Sequence, residues 1–310
     1  MEFAASFSTD RFSRLRHTWQ FLGMASAPTE AVLLSASDER TPGGEVVRVV
    51  FRRRHVKVLQ RVSLPRASGL TRDWYGRGLV ACTYDGVHLL DRALRVSRSR
   101  TSPRFCALHS VSPTMHGYLI PSTGIDEILE VDRAFRPRWS WSALEHGFPR
   151  DRSGARRTLP SNRNHARWYY PLQRHTVHVN SAVEDRRDGS VLATLFHQGS
   201  IVSIDRSSGR WRTVARGLAA PHSLRPDSGC GYVLSESRRG SIVRIDASGE
   251  ILRFQVAGST WLQSVFPMED GYLTTDADSH RVMWLRRDGR IRRVWRFPGR
   301  LKVYDAISLD

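Results

Sequence analysis

His222-Ser223-Leu224 is followed by Gly231-Tyr232-Val233-Leu234, then Ser241-Ile242-Val243-Arg244-Ile245-Asp246, then Ile251-Leu252-Arg253-Phe254. A polar, a small and an aliphatic residue open the unit, and three short β-branched or aromatic runs follow. Gly, Ser and Asp separate the runs, which is the punctuation of hairpin-linked strands. The same opening recurs as His109-Ser110-Val111, Asn180-Ser181-Ala182, Gln263-Ser264-Val265 and Asp305-Ala306-Ile307, with a weaker copy at Gly69-Leu70-Thr71. From Asn180 onward the copies stand 42, 41 and 42 residues apart. The 71 residues between His109 and Asn180 are one unit plus an insert of about 30. Strand-like content at this period is the signature of a β-propeller, in which each unit is one blade.

Counting units predicts an all-β, six-bladed β-propeller of four-stranded antiparallel blades, its first blade closed by the C-terminal strand. The outer strands of that blade would run from Ala31-Val32-Leu33-Leu34 through Val56-Lys57-Val58-Leu59, and Val303 to Leu309 would return as its inner strand. Closure of this kind leaves no free edge. Residues 1–28 read as an N-terminal arm or capping segment. Residues 29–310 read as one propeller, with an insert at about 142–175.

Composition narrows the function classes. Hydrophobic residues make up 40% of the 310, enough for sheet-on-sheet cores, and no run approaches the length of a membrane span. Arg11, Arg14 and Arg16 interrupt the apolar residues near the N-terminus, so a secretory signal is not expected. The three cysteines, Cys82, Cys106 and Cys230, have no metal or disulfide spacing and read as free thiols, which suits the cytoplasm. The formal charge of +18 comes almost wholly from arginine, since Lys57 and Lys302 are the only lysines. That skew is what a GC-rich genome produces. The arginines are spread over every unit, which argues against specific nucleic-acid binding and suits a small anionic or aromatic substrate.

The polar residue that opens each copy falls at one place in its blade. If that place is the inner strand, His109, Asn180, His222, Gln263 and Asp305 converge on a central channel. His178, two residues before Asn180, would face the same way. Glu236, His197 and Asp276 follow the next strands and would form a second ring. The bland alternative is that each polar residue locks its blade to a neighbour's backbone.

The stretch His178-Val179-Asn180-Ser181, then Val191-Leu192-Ala193-Thr194 and His197-Gln198-Gly199-Ser200-Ile201-Val202-Ser203-Ile204-Asp205, resembles the aryl-sulfate sulfotransferase family. So do His109 with Gly117-Tyr118-Leu119-Ile120 and the Trp139-Ser140-Trp141 end of that unit. The resemblance implies sulfuryl transfer from an aryl sulfate to a phenol through a histidine nucleophile, at the place of His222. His178 and Asn180 would then hold the sulfuryl oxygens and His109 would protonate the leaving phenolate. His197, Gln263, Trp168 and Arg174 complete the expected substrate contacts, and no cofactor is needed. Phe196 stands where that family has arginine, and Ser110 where it has aspartate. The repeat is also similar to gluconolactonase and virginiamycin B lyase-type propellers. That likeness implies a divalent metal ion, with His109, His178, His222, Glu236 and Asp305 as the candidate ligands. A propeller can also be a non-catalytic interaction surface. Arg150 to Arg167 and the following Trp168-Tyr169-Tyr170 read as a loop placed to cover the channel mouth.

Overall fold

A computed structural model of the chain describes residues 2–8, 21–22, 30–35, 43–51, 56–228, 231–297 and 302–308, the first three segments through their backbone alone. Residues 9–20 and 23–28 of the expected N-terminal arm, together with Cys230, lie outside the described residues. Among the described residues no helix is long and apolar enough to cross a membrane.

Five strands come from the first 63 residues: β1 (Glu2–Ser8), β2 (Phe21–Leu22), β3 (Glu30–Ser35), β4 (Glu45–Phe51) and β5 (Val56–Ser63). The repeats then give β6 (Gly69–Arg72), β7 (Leu79–Cys82), β8 (Gly86–Leu90) and β9 (Val96–Thr101), followed by β10 (Ser112–Pro113), β11 (Gly117–Ser122), β12 (Glu127–Asp132) and β13 (Pro137–Ser142). After the insert come β14 (Val179–Glu184), β15 (Val191–Leu195), β16 (Ser200–Ile204) and β17 (Trp211–Ala215). The next unit holds β18 (Pro221–Pro226), β19 (Tyr232–Glu236), β20 (Ser241–Ile245) and β21 (Ile251–Gln255). The last holds β22 (Leu262–Met268), β23 (Gly271–Asp276), β24 (Arg281–Arg286) and β25 (Ile291–Arg296), and the chain returns in β26 (Lys302–Ser308).

The blade count needs correction. Five blades of four antiparallel strands are present, β6–β9, β10–β13, β14–β17, β18–β21 and β22–β25, not six. The remaining sheet has another construction. It holds five strands in the order β1-β26-β3-β4-β5, and β1 runs parallel to β3 while pairing antiparallel with β26. The physical reason is the N-terminal strand. Its backbone occupies ladder positions that the expected four-stranded blade would have left to β26 and β3 alone. In the last regular blade β2 adds to the outer strand β25.

Two local devices explain the repeat. The second strand of a blade begins with glycine where a side chain has no room: a Cβ at Gly117, Gly231 or Gly271 would meet the carbonyl of Val131, Ile245 or Leu285 on the adjoining strand. In two copies the small residue of the opening phrase stitches one blade to the next, and in the last copy the polar residue does so. Ser181 Oγ accepts the Leu224 N–H (3.1 Å), Ser223 Oγ accepts the Val265 N–H (3.1 Å), and Asp305 Oδ2 accepts the Leu70 N–H (2.9 Å).

Apolar faces pack between neighbouring blades. Leu119 and Ile128 of one blade meet Val179, Ala182 and Val191 of the next. Trp139 and Trp141 on β13 donate their indole N–H groups to the Arg206 and Gly209 carbonyls of the following blade (2.9 and 3.1 Å). Trp141 is fully buried, so it belongs to packing, and truncating such a side chain costs about 3–5 kcal/mol.

Candidate active site

The inner strands carry a register shift at the opening phrase: between Val179 and Ala182, between His222 and Arg225, and between Leu262 and Ser264. Bulges re-aim side chains, and here they separate the phrase into two tasks. At Ser181 and Ser223 the small residue bonds the neighbouring blade. The polar residue turns inward: His109, Asn180, His222, Gln263 and Asp305 line one narrow cavity of about 30 Å³, with Ser68 and Tyr304. A space of that size has room for about one or two water molecules.

The two histidines of this ring are oriented by one device. Ala107 and Ala220, each two residues earlier, adopt left-handed backbone (φ 51° and 58°). Their carbonyls lie 2.8 Å from His109 Nδ1 and 3.1 Å from His222 Nδ1. A carbonyl only accepts, so Nδ1 carries the proton in both rings. Ser237 Oγ, 2.7 Å from His222 Nδ1, donates onward to the Leu262 carbonyl (2.7 Å) and so accepts from the same Nδ1–H. In the neutral ring the lone pair of His222 is therefore on Nε2. Burial lowers the His222 pKa to about 3, and proximity to His109 lowers it further within that shift. The ring is neutral at neutral pH.

The β14 blade places its residues differently. His178 takes the left-handed position held by the two alanines (φ 51°), and Asn180 takes the ring position. His178 is buried against His109 (ring centroids 5.1 Å), Phe196 (4.9 Å) and His197 (5.6 Å). It does not line the cavity that His109 and His222 line. His178 Nδ1 is 2.7 Å from His175 Nδ1, and His175 Nε2 donates to the Tyr170 carbonyl (3.0 Å). The proton between the two rings therefore sits on His178 Nδ1. Burial, and then the neighbouring imidazoles, hold His178 well below the ordinary histidine pKa. Asn180 Oδ1 accepts from Thr194 Oγ1 (2.7 Å), while its Nδ2 is buried with no hydrogen-bond partner.

The other expected residues divide. Gln263 lines the cavity with its Oε1 accepting from Trp261 Nε1 (2.6 Å). Asp305 accepts from Arg225 Nη2 (2.6 and 2.7 Å) as well as from Leu70. His197 Nε2 donates to the Leu172 carbonyl (3.2 Å) beside the cluster, and burial lowers its pKa. Arg174 points away to an ion pair with Asp151 (3.2 Å), its side chain half exposed. Trp168 is 49% exposed under the Arg163 guanidinium (4.2 Å). Neither lines the cavity. Glu236 is taken up by the Ala219 N–H, Arg239, Ser241 and Arg253 (2.7–3.1 Å). Asp276 is likewise held by Arg281 and Thr260. The second ring of the sequence reading is thus a set of braces at the strand ends.

The donor set does not fit a metal ion. Among the described residues no three His, Cys, Asp or Glu side chains are grouped to hold one, and both expected carboxylates already carry arginine partners.

Several residues of the site were not read from the sequence. Asp126, fully buried, accepts the N–H groups of Thr176, Val177 and His178 (2.7, 3.2 and 2.6 Å) and pairs with buried Arg157 of the insert. The insert therefore seats on the blade through an ion pair, and Leu159 and Tyr170 pack on Tyr84, Cys106 and Ile125. The legible signal was positional, since Asp126 follows its strand much as Glu236 and Asp276 end theirs. His175, three residues before His178, was visible as spacing. Phe196 fills the space between His178 and His222 (4.9 and 5.1 Å), with the Arg238 guanidinium over its ring (5.5 Å).

No model of a known family matches the chain, and no curated protein matches it in sequence. Solved structures match it in shape. An inactive histidine-to-alanine variant of virginiamycin B lyase from Staphylococcus aureus, with quinupristin, superposes with TM-score 0.55 at 12% identity over 89% of this chain and 87% of that one. The periplasmic gluconolactonase of Pseudomonas aeruginosa gives 0.51 at 16% identity, covering 88% and 82%. A chain of the nidogen/laminin complex gives 0.64 at 11%, covering 89% and 97%. Identities this low carry the fold alone, and that fold is the β-propeller.

Proposed function

We infer that the channel is a hydrolytic site for an ester or lactone, with His222 as general base and Asn180 as oxyanion donor. The observation that carries this reading is the unpartnered, buried Nδ2 of Asn180 in the cavity that His222 lines. A buried donor without an acceptor is costly, and an oxygen that gains charge during reaction is a fitting acceptor.

His222 Nε2 takes a proton from water, the water oxygen bonds to the carbonyl carbon, and charge gathers on the carbonyl oxygen against Asn180 Nδ2. The C–O bond to the leaving group then breaks, and the imidazolium returns its proton to the departing oxygen. A base held near pKa 3 is weak in the resting site, and the developing oxyanion raises its basicity as the reaction proceeds. The β-propeller fold is shared with a gluconolactonase and a lyase, and this reading is compatible with that likeness. No step is routed through a metal, because the donor set does not fit one.

Sulfuryl transfer is the second reading, favoured by the same neutral imidazole, which is competent as a nucleophile. Phe196 and the outward-facing Arg174 weigh against it, since they leave the cluster without the expected fixed cation. The test is turnover of a panel of γ- and δ-lactones and 4-nitrophenyl esters, with 4-nitrophenyl sulfate alongside. Turnover of a carbonyl substrate that falls about a hundredfold or more in His222→Gln, at unchanged melting temperature, is expected. Acid-labile labelling of His222 by the sulfate donor, with no lactone or ester turned over, would transfer the assignment to the second reading.

A further inference from the structure

The insert reaches the starting ends of the inner strands. At their far ends the blades leave a funnel of about 630 Å³, within the range of small-molecule sites. Its wall is largely apolar, with Trp74, Val111, Met115, Val183, Phe266 and Pro267. Val111, Ser112 and Arg225 line both the funnel and the histidine cavity, so the two spaces adjoin.

The charges of the funnel do not balance. Asp185 is taken up by Arg187 (2.6 Å), and Glu184 accepts the Met115 N–H (2.9 Å) with Arg206 at 3.7 Å. Arg225 is held by Asp305. Arg72 donates through Nε to the Ser308 carbonyl (3.4 Å) and, like Arg186, has no carboxylate within ion-pair distance among the described residues. Burial lowers the pKa of Arg72, the mark of a guanidinium that has lost water without gaining a counter-charge.

We propose that the funnel is a binding site for a small organic carboxylate, its apolar body against Trp74, Met115 and Phe266 and its carboxylate between Arg72 and Arg186. Guanidinium groups recognise carboxylates through paired, charge-assisted hydrogen bonds, and the apolar wall removes the rest of the ligand from water. The proposal concerns binding and stands whether or not the channel is catalytic.

Calorimetric titration of the full chain with octanoate, 1-octanol and octyltrimethylammonium tests it. Octanoate should bind roughly tenfold or more tightly than octanol, and the ammonium more weakly than either. The Arg72→Gln/Arg186→Gln double variant should lose that advantage while binding octanol within about twofold of the parent chain. Met115 is 67% exposed, so Met115→Gln preserves the fold, and it should weaken octanoate and octanol alike. Octanoate binding no tighter than octanol, or unaltered in the double variant, would overturn the proposal, as would failure of all three probes to bind. Because the titration reads no turnover, its failure is distinct from failure of the hydrolytic reading.

Discussion

At the scale of single residues, the site is defined by which nitrogen each imidazole gives away. Two alanines in left-handed backbone present carbonyls to His109 and His222, and a third residue in that conformation, His178, donates its Nδ1–H to His175 Nδ1. Neutrality of the buried His222 and His178 rings makes the protein acid-sensitive. Unfolded histidine binds its proton near pH 6.5, whereas folded His222 resists it down to about 3. Stability is therefore complete above about 6.5 and falls as the pH is lowered through that window, by on the order of a kcal/mol per pH unit for each such ring. His222→Gln should show a shallower loss of urea-unfolding free energy between pH 6.5 and 4 than the parent chain. An identical pH slope in the two proteins would remove His222 from the account. His178 and His197 shift in the same direction, so the variant should reduce the slope without abolishing it.

At the scale of elements, the opening phrase has two readers. In the β14 and β18 blades its small residue is a latch to the next blade and its polar residue faces the channel, a division that coincides with the bulge in those two inner strands. The sequence reading set these as rivals, because period-two alternation cannot foresee an extra residue in the ladder. Ser223→Ala should cost about 1–2 kcal/mol by orphaning the Val265 N–H, read as a lowered urea midpoint at unchanged slope. The insert is governed by Asp126. Removing this carboxylate by Asp126→Ala leaves Arg157 buried without its partner and three N–H groups unmatched. The expected cost is about 3–5 kcal/mol, together with faster tryptic cleavage at Arg150, Arg152 and Arg156. Cleavage no faster than in the parent chain would show that the insert does not depend on this pair.

At the scale of the whole molecule, closure and convergence are one fact. The repeat was legible because most blades start their second strand at a glycine packed against the carbonyl of the adjoining strand. The ring of His109, Asn180, His222, Gln263 and Asp305 was legible because the repeat fixes its place. The construction of the first sheet was not: residues 1–28 carry none of the repeat, so nothing foretold that Glu2–Ser8 would pair beside β26. Arg174 and Trp168 were assigned to the site from sequence proximity, and the insert's own fold turns both away from the cavity. Asp305 joins closure to the channel, since it binds Leu70 of the next blade and Arg225 across the hub. Asp305→Ala should therefore lower the melting temperature by about 5 °C or more, through loss of a largely buried ion pair. The central claim is that imidazoles from different blades share one buried hub. Nitrogen-15 spectra of histidine-labelled protein, titrated from pH 7.5 to 4, test it most directly. His222, identified by its absence in His222→Gln, should remain the neutral Nδ1–H tautomer throughout, and His109→Gln should shift its resonances. A His222 that protonates near pH 6.5 and ignores the His109 substitution would contradict the account.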